Sequence, residues 1–203
     1  MARKQSEVRF RELAKHHGFA WHKYRDVSYC IHCHKPLPKS ELKPDFLLAC
    51  VYTWIECKND TQTGTWGWTE LAEGGDRIAQ REWLDENGGW LFIELGQGKA
   101  PKGKGAWLVS WEDWKEEIEP QLIERDQKSL RMETVYNKDG SKRRNFIGAD
   151  LLLSDYALEW EPNIGWTIPQ GHVFWLRYLD RLCLWIDVIQ EHYIGYDYSN
   201  SGG

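Results

Sequence analysis

Two carboxylates and a lysine lie close together in two apolar stretches of the sequence. Asp45 follows Pro44, and Glu56 is separated from Lys58 only by Cys57. Side chains alternate along a strand, so Glu56 and Lys58 point to the same face of a strand that contains both. Carboxylate and carbonyl oxygens suit Mg²⁺ or Mn²⁺, and a nearby ammonium can orient water or stabilise charge on a phosphate. These groups are typical of metal-assisted phosphodiester hydrolysis.

A structural alternative accounts for the same three residues. Glu56 and Lys58 would then form a surface ion pair on an edge strand, with Asp45 in a turn. The two interpretations differ in burial, because charged groups at the end of an apolar strand are costly to desolvate without partners. If Asp45 begins the neighbouring strand, its carboxylate lies beside Glu56.

Eight elements are predicted in residues 1–126 from hydrophobic periodicity and turn residues. In chain order they are a helix (6–17), a strand (19–24), two adjacent strands (45–50 and 51–58), a helix (69–87), two strands (90–95 and 106–111) and a helix (112–126). Gly18 suits the end of the first helix. Strands before and after a crossover helix predict an α/β sandwich around a mixed central sheet.

Residues 127–203 differ in character and are predicted to form a C-terminal extension. The sequence NKDG at 137–140 is a hairpin turn signal, and 172–190 has the periodicity of an amphipathic helix. This helix either packs on the core or forms a dimer interface, and both alternatives remain open.

The charge balance leaves a nucleic-acid partner open. The formal net charge is −5, but residues 1–60 hold 11 Lys and Arg against 7 Asp and Glu. Only charges near the phosphates act through salt screening, so a locally basic part can bind a polyanion. No stretch reaches the roughly 18 to 20 apolar residues of a membrane span, and the N-terminus lacks the apolar segment of a secretory signal. We therefore expect a cytoplasmic protein with no membrane partner.

The pattern PDF…IECK resembles the PD-(D/E)XK nuclease superfamily. The helix preceding it, with Glu7 in S-E-x-x-F-x-x-L, is similar to the helix that supplies the first acidic ligand of that family. The segment from Gln80 to Phe92 resembles the Q-x-x-x-L…G-G-strand unit of the Holliday junction resolvase-like branch found in archaea and phages. The resemblance spans residues 6–115 and implies a restriction-endonuclease-like sandwich.

The resemblance also implies a role for each matching residue. Asp45 and Glu56 would bind Mg²⁺ or Mn²⁺ directly, with the Cys57 backbone carbonyl as a further ligand. Lys58 would position the attacking water and the scissile phosphate. Glu7 would bind the metal directly or through water, with Glu12 as the alternative, and Gln80 would bond to Lys58 or the phosphate.

A Cys-x-x-Cys pair, Cys30 and Cys33, lies in an insertion at 28–43 that interrupts the resolvase pattern. Two thiolates can hold Zn²⁺, but a structural zinc site takes four ligands and no second Cys-x-x-Cys exists. The alternative is a plain loop. Candidates to complete a zinc site are His16, His17, His22, His32 and His34.

Candidate DNA contacts lie in three further segments. Trp66 and Trp68 either stack on an unpaired base or cover the core, and the sequence does not separate the two. Two basic segments are candidates for phosphate contacts without base reading. They are Lys99, Lys102 and Lys104 in a glycine-rich connection, and Lys142, Arg143 and Arg144 after the hairpin turn.

Together, these features predict a Mg²⁺- or Mn²⁺-dependent endonuclease that is selective for four-way junctions or other branched DNA. A restriction-like or repair nuclease acting on linear or flapped DNA is the enzymatic alternative. A zinc-ribbon DNA-binding protein without catalysis is the alternative from a different class. The resemblance also implies a homodimer, because two-fold symmetry presents identical sites to both strands of a symmetric junction.

Overall fold

A five-stranded mixed sheet lies at the centre of the molecule. The computed structural model describes residues 5–23, 45–48, 53–60, 65–68, 78–96, 104–131, 139 and 146–178. The sheet strands are β1 (Trp21–Lys23), β2 (Phe46–Leu48), β3 (Thr53–Asp60), β5 (Trp90–Gly96) and β6 (Lys104–Ser110), hydrogen-bonded in that order. Only the β3–β5 pair is parallel. In the described parts of the chain, no helix is long and apolar enough to cross a membrane.

The helix α1 (Gln5–His16) packs one face on the sheet. Phe10, Leu13 and Ala14 recur at helical spacing and are buried, which gives the helix its apolar face. Gly18 follows with φ +70°, a left-handed conformation that suits the end of a helix. Ser6 lies inside the helix and is buried.

The register of the sheet follows from the buried residues of each strand. Phe46 lies opposite Ile55 in the β2–β3 pair, and Ile55 lies beside Trp90 in the β3–β5 pair. All three side chains belong to the hydrophobic cluster on the α1 side of the sheet. A shift of one residue would turn each of them to the other face, so burial fixes the register.

The helix α2 (Ile78–Asn87) connects β3 to β5, as parallel strands require a crossover. It ends at Gly88 and Gly89, whose φ angles are +68° and +144°. A Cβ added at Gly89 would lie 3.0 Å from the Trp54 backbone oxygen, so the turn into β5 requires glycine there.

A helical segment without interruption follows β6. It consists of α3 (Trp111–Asp113), a π-helical turn (Trp114–Ile118) and α4 (Glu119–Glu124). Ser110 caps it, because its Oγ accepts a hydrogen bond from the Asp113 N–H at 3.0 Å. Pro120 has no N–H to donate to the preceding turn, which accounts for the wider turn before it.

The described C-terminal residues contribute to the hydrophobic clusters on both faces of the central sheet. A second sheet joins β4 (Thr65–Trp66), β7 (Ser129–Arg131) and β8 (Phe146–Gly148), followed by α5 (Ala149–Leu152) and a 3₁₀ turn (Ser154–Tyr156). A hairpin of β9 (Glu159–Glu161) and β10 (Gly165–Thr167) then contacts α1. Residues 173–178 are helical, where the longer helix over 172–190 is predicted.

Two hydrophobic clusters form on the two faces of the sheet. The cluster on the α1 side includes Phe10, Phe92 and Phe174, and the other includes Leu84, Ile93 and Trp114. The predicted mixed α/β architecture is confirmed. Residues 59–68, to which no predicted element was assigned, contain the end of β3 and also β4, whose partner β7 is about 65 residues away.

Candidate active site

Glu56 and Lys58 lie in the middle and in the second half of β3, with relative exposures of only 2% and 9%. They register with Leu91 and Ile93 of β5, so both point to the α2 side of the sheet. The Lys58 Nζ lies 2.8 Å from Glu56 Oε1 and donates a hydrogen bond to Gln80 Oε1 at 2.8 Å. A buried ammonium is thus held between a carboxylate on its own strand and an amide from α2.

Asp45 lies directly before β2 and is also buried, with an exposure of 8%. Because Phe46 is opposite Ile55, Asp45 comes next to Glu56 and Cys57 across the strand pair. Its Oδ2 accepts a hydrogen bond from the Cys57 backbone N–H at 2.8 Å. The predicted surface ion pair does not fit these residues, because all three charged groups are buried.

Glu7 approaches the same strand from the α1 side. It lies one helical turn before Phe10, and its exposure is 4%. Its carboxylate forms an ion pair with Lys23 of β1. Glu7 and Glu56 therefore each have a lysine as counter-charge, on opposite faces of the sheet.

The pKa of the Cys57 thiol reflects the charged groups around β3. Burial raises the pKa of this thiol well above its usual value, and the charge of Asp45 adds to the effect, followed by those of Glu56 and Glu7. Only Lys58 acts in the opposite direction. Three carboxylates and one ammonium thus act on a single residue, and the carboxylates prevail.

The carboxylates of this cluster fit a hard divalent cation in part. Glu56 Oε2 is buried and has no hydrogen-bond partner among the described residues, although Oε1 is engaged by Lys58. A buried carboxylate oxygen without a partner, next to a second carboxylate, suits Mg²⁺ or Mn²⁺. Among the described residues, however, no group of three or more His, Cys, Asp and Glu side chains is arranged to hold a metal ion. Asp45 and Glu56 therefore fit such an ion as a pair, while Glu7 remains engaged by Lys23.

Three of the residues predicted as candidate DNA contacts are buried, namely Trp66, Trp68 and Lys104. Trp66 and Trp68 are 4% and 5% exposed and belong to the hydrophobic cluster on the α2 side. The two tryptophans therefore cover the core, which is one of the two alternatives that the sequence left open. Lys104 begins β6 and is not part of a flexible loop. It is buried, and its Nζ lies 3.8 Å from Glu94 Oε1. The predicted position in a glycine-rich connection that contacts phosphates is therefore wrong for Lys104, because its side chain faces the core and not solvent.

Several predicted residues lie outside the described part of the chain. They are Cys30 and Cys33, Lys99 and Lys102, and Lys142, Arg143 and Arg144. The zinc site, the phosphate contacts of these five basic residues and the hairpin turn at 137–140 therefore stay predictions.

Two features of the site were not predicted from the sequence. The first is Lys23, which forms the ion pair with Glu7. In the sequence, only the position of Lys23 in a short predicted strand pointed to this role. The second is an aromatic pair on the same face of the sheet as Lys58. Trp54 lies on the Glu56 side of β3, and its ring centroid is 4.6 Å from that of Trp83, one helical turn after Gln80. Both indoles are partly exposed.

Comparison of the chain with protein-family models, with curated proteins and with solved structures finds no match. The chemistry of the site therefore has to follow from the arrangement of its own side chains. The most distinctive part of this arrangement is a buried lysine between Glu56 and Gln80, with Asp45 bonded to the peptide N–H between Glu56 and Lys58.

Proposed function

We propose that this protein is a metal-dependent endonuclease that hydrolyses DNA phosphodiester bonds, with a restriction-endonuclease-like fold. The observation that carries the proposal is the buried cluster of Asp45, Glu56 and Lys58 with Gln80 bound to the lysine. Buried charges are destabilising unless they are paired, and clusters of them at a strand end are frequent at functional sites. The residues that the sequence pattern selects are also residues that lie close together in the fold.

Asp45 and Glu56 would hold the metal ion in this proposal. Both present carboxylate oxygens, which Mg²⁺ and Mn²⁺ prefer, and Glu56 Oε2 has no partner among the described residues. The resemblance adds the Cys57 carbonyl as a further ligand. It also adds Glu7, but this carboxylate lies on the other face of the sheet and is paired with Lys23. The bound ion would supply polarisation of the phosphoryl group and a lower pKa for a bound water.

The chain's own residues would perform the remaining steps. The Lys58 ammonium carries three hydrogen-bond donors, so it can bind a phosphate oxygen or orient an attacking water while it retains other partners. Gln80 limits where that ammonium can lie, because its Oε1 accepts a hydrogen bond from it. A preorganised donor of this kind stabilises charge that develops on the phosphate without a further rearrangement.

The substrate in this proposal is branched DNA, and Trp54 and Trp83 offer a contact that such DNA can use. Their partly exposed rings lie on the Lys58 side of the sheet, Trp54 two residues before Glu56 and Trp83 three residues after Gln80. An unpaired base can stack on an indole, whereas a base inside a duplex cannot. This pair therefore takes the role that the sequence suggested for Trp66 and Trp68.

A cleavage assay tests the proposal directly. A labelled four-way junction and its matched linear arms are incubated with Mg²⁺, with Mn²⁺ or with EDTA. We expect metal-dependent cleavage of the junction that falls by at least about 100-fold in Asp45→Asn and in Lys58→Ala, because each removes a group acting on the reacting phosphate. Lys128→Ala, at an exposed lysine away from the cluster, serves as the matched control and should cleave like the wild type.

The outcomes separate the components of the proposal. Equal cleavage of junction and linear arms would retain the nuclease and exclude the selectivity for branched DNA. Cleavage that persists in Asp45→Asn would exclude this site. The absence of cleavage with either metal, while folded protein still binds DNA, would contradict the enzymatic function and direct attention to Cys30 and Cys33.

A further inference from the structure

A cavity of about 600 Å³ lies at the opposite end of the sheet from Lys58. Thr53, the first residue of β3, lines it, and Lys58 follows five residues later, roughly 16 Å along the strand. The cavity is bordered by the turn from α2 into β5, the junction of β6 with α3, and residues of the last described helix. Its volume is within the range of small-molecule sites.

Four aromatic residues line this cavity. They come from separate elements, namely Trp90 of β5, Trp111 of α3, and Phe174 and Tyr178 of the last described helix. The centroids of Trp90 and Phe174 are 4.9 Å apart in an edge-to-face contact, so these two rings support each other. Such walls favour a flat ring that can insert among them.

The charged residues around the cavity are already paired. Lys115 Nζ lies 3.1 Å from Asp85 Oδ1, and Arg177 Nη1 lies 3.0 Å from Glu112 Oε2. A charged ligand would have to break one of these ion pairs or remain without a counter-charge, whereas an uncharged ligand leaves both pairs intact. The charge pattern therefore selects against ions.

Thr53 provides the polar group of the cavity. Its residue exposure is 2%, and Oγ1 has no hydrogen-bond partner within the described parts of the chain. The other hydroxyl of the lining differs, because Ser110 Oγ accepts hydrogen bonds from the Asp113 N–H and from Arg177. A buried hydroxyl without a partner is unusual, and a ligand that bonds to it would satisfy it.

We propose that this cavity binds an uncharged planar aromatic molecule whose carbonyl or amide group forms a hydrogen bond with Thr53 Oγ1. The rings of Trp90, Trp111 and Phe174 contact the faces and edges of the ligand. The two ion pairs remain in place at the rim. This site is independent of the proposed nuclease activity, because it uses none of the residues around Lys58.

Three isosteric probes test the charge selectivity. 2-Naphthamide is neutral, 2-naphthoate is an anion and 2-naphthamidine is a cation at neutral pH, while the ring system is the same. Binding is followed by two-dimensional ¹H–¹⁵N NMR of the full chain. The amide should shift the backbone signals of Thr53 and Ser110 and the indole N–H of Trp111, with an affinity at least about 10-fold higher than either charged probe.

Two variants of Thr53 test the hydrogen bond. Thr53→Val removes the hydroxyl at nearly constant shape, and we expect about 5- to 10-fold weaker binding of 2-naphthamide, as for the loss of one hydrogen bond. Thr53→Ser keeps the hydroxyl and should bind within about twofold of the wild type. Because Oγ1 has no partner among the described residues, Thr53→Val should not lower the urea midpoint of unfolding, which separates loss of binding from loss of stability.

The following results would overturn the proposal. Failure of all three probes to shift cavity signals would exclude the site. Equal or stronger binding of a charged probe would exclude selectivity for uncharged ligands, and full affinity in Thr53→Val would exclude the hydrogen bond. Lys128→Ala, at an exposed lysine, should bind 2-naphthamide like the wild type. Because the cavity uses none of the residues around Lys58, a failure of the nuclease assay leaves this test unaffected.

Discussion

The two ends of β3 have opposite arrangements of charge. At the Lys58 end, the ion pair between Lys58 and Glu56 is buried, with side-chain exposures of 10% and 3%. At the Thr53 end, the pair between Lys115 and Asp85 lies at the rim of a cavity, with exposures of 36% and 39%. One strand therefore leads from a buried charged cluster to an aromatic cavity with partly solvated ion pairs.

This difference separates the end of β3 that suits catalysis from the end that suits ligand binding. A partly exposed ion pair contributes little to stability and leaves its charges screened by solvent. A buried one acts in a medium of low polarity, where its field on a bound phosphate is strong and where an unpartnered oxygen such as Glu56 Oε2 is costly. The proposed catalytic function and the proposed binding function follow from these two environments.

The largest effect is expected from removing the buried ammonium. Lys58→Met leaves the carboxylate of Glu56 buried without its counter-charge, so the free energy of unfolding should fall by about 3 to 5 kcal/mol. Lys115→Met, at the other end, should change it by less than about 1 kcal/mol. Urea denaturation followed by tryptophan fluorescence measures both, and equal losses in the two variants would remove the contrast between the ends.

Added metal sharpens the same measurement. Mg²⁺ bound by Asp45 and Glu56 would replace the missing positive charge, and a ligand that binds only the folded state stabilises it. Excess Mg²⁺ should therefore raise the melting temperature of Lys58→Met more than that of the wild type. A gain that is no larger than the gain of Lys115→Met would argue against a metal at this end.

An intermediate effect is expected from the aromatic pair between the two ends. Trp54→Leu removes an indole on which an unpaired base can stack, so affinity for junction DNA should fall by about 5- to 100-fold. Trp54→Phe keeps an aromatic face and should retain most of the affinity, while linear duplex should bind both variants alike. Fluorescence anisotropy in EDTA measures binding without cleavage, and an equal loss for duplex would contradict stacking.

The smallest effect is expected from His172, which precedes the helix at the Thr53 end. Its Nδ1 accepts a hydrogen bond from the Phe174 N–H at 3.0 Å, and burial lowers its pKa below 6.5. Above 6.5 the neutral form prevails in both states. As the pH falls below 6.5, the unfolded state takes up the proton first, so the folded state loses stability.

The variant His172→Asn isolates this contribution. Asparagine can still accept the hydrogen bond from Phe174 but does not titrate, so the loss of stability on acidification should be smaller than in the wild type. The loss should not vanish, because burial also lowers the pKa of His17. Unfolding midpoints in urea across this pH range provide the measurement, and an unchanged slope would show that His172 is not involved.

Most elements of the described fold were predictable because their signals are local. The helix ending before Gly18 and the strands β2, β3, β5 and β6 all follow from periodicity and turn residues within short windows. The strand β4 was not predictable, because its pairing with β7 joins segments far apart in the chain. The isolated sequence around Trp66 therefore has the composition of a loop.

The candidate site was predictable to a similar degree. Alternation along β3 places Glu56 and Lys58 on one face, and the register of two apolar strands brings Asp45 to them. The position of Lys104 was not predictable, since its glycine-rich surroundings indicate an exposed loop while the structure buries it near Glu94. Local composition reports flexibility and polarity, but burial depends on what packs from elsewhere.

The sequence by itself determined which chemical groups are available and which of them share a strand face, because side-chain alternation and helical periodicity are properties of the backbone. Only the tertiary structure decided which charges are buried and what neutralises them. Lys23 reaches Glu7 through a contact between distant segments that no local pattern indicated. The same packing formed the cavity at Thr53. Burial sets the strength of every electrostatic interaction, and burial is a property of the assembled core.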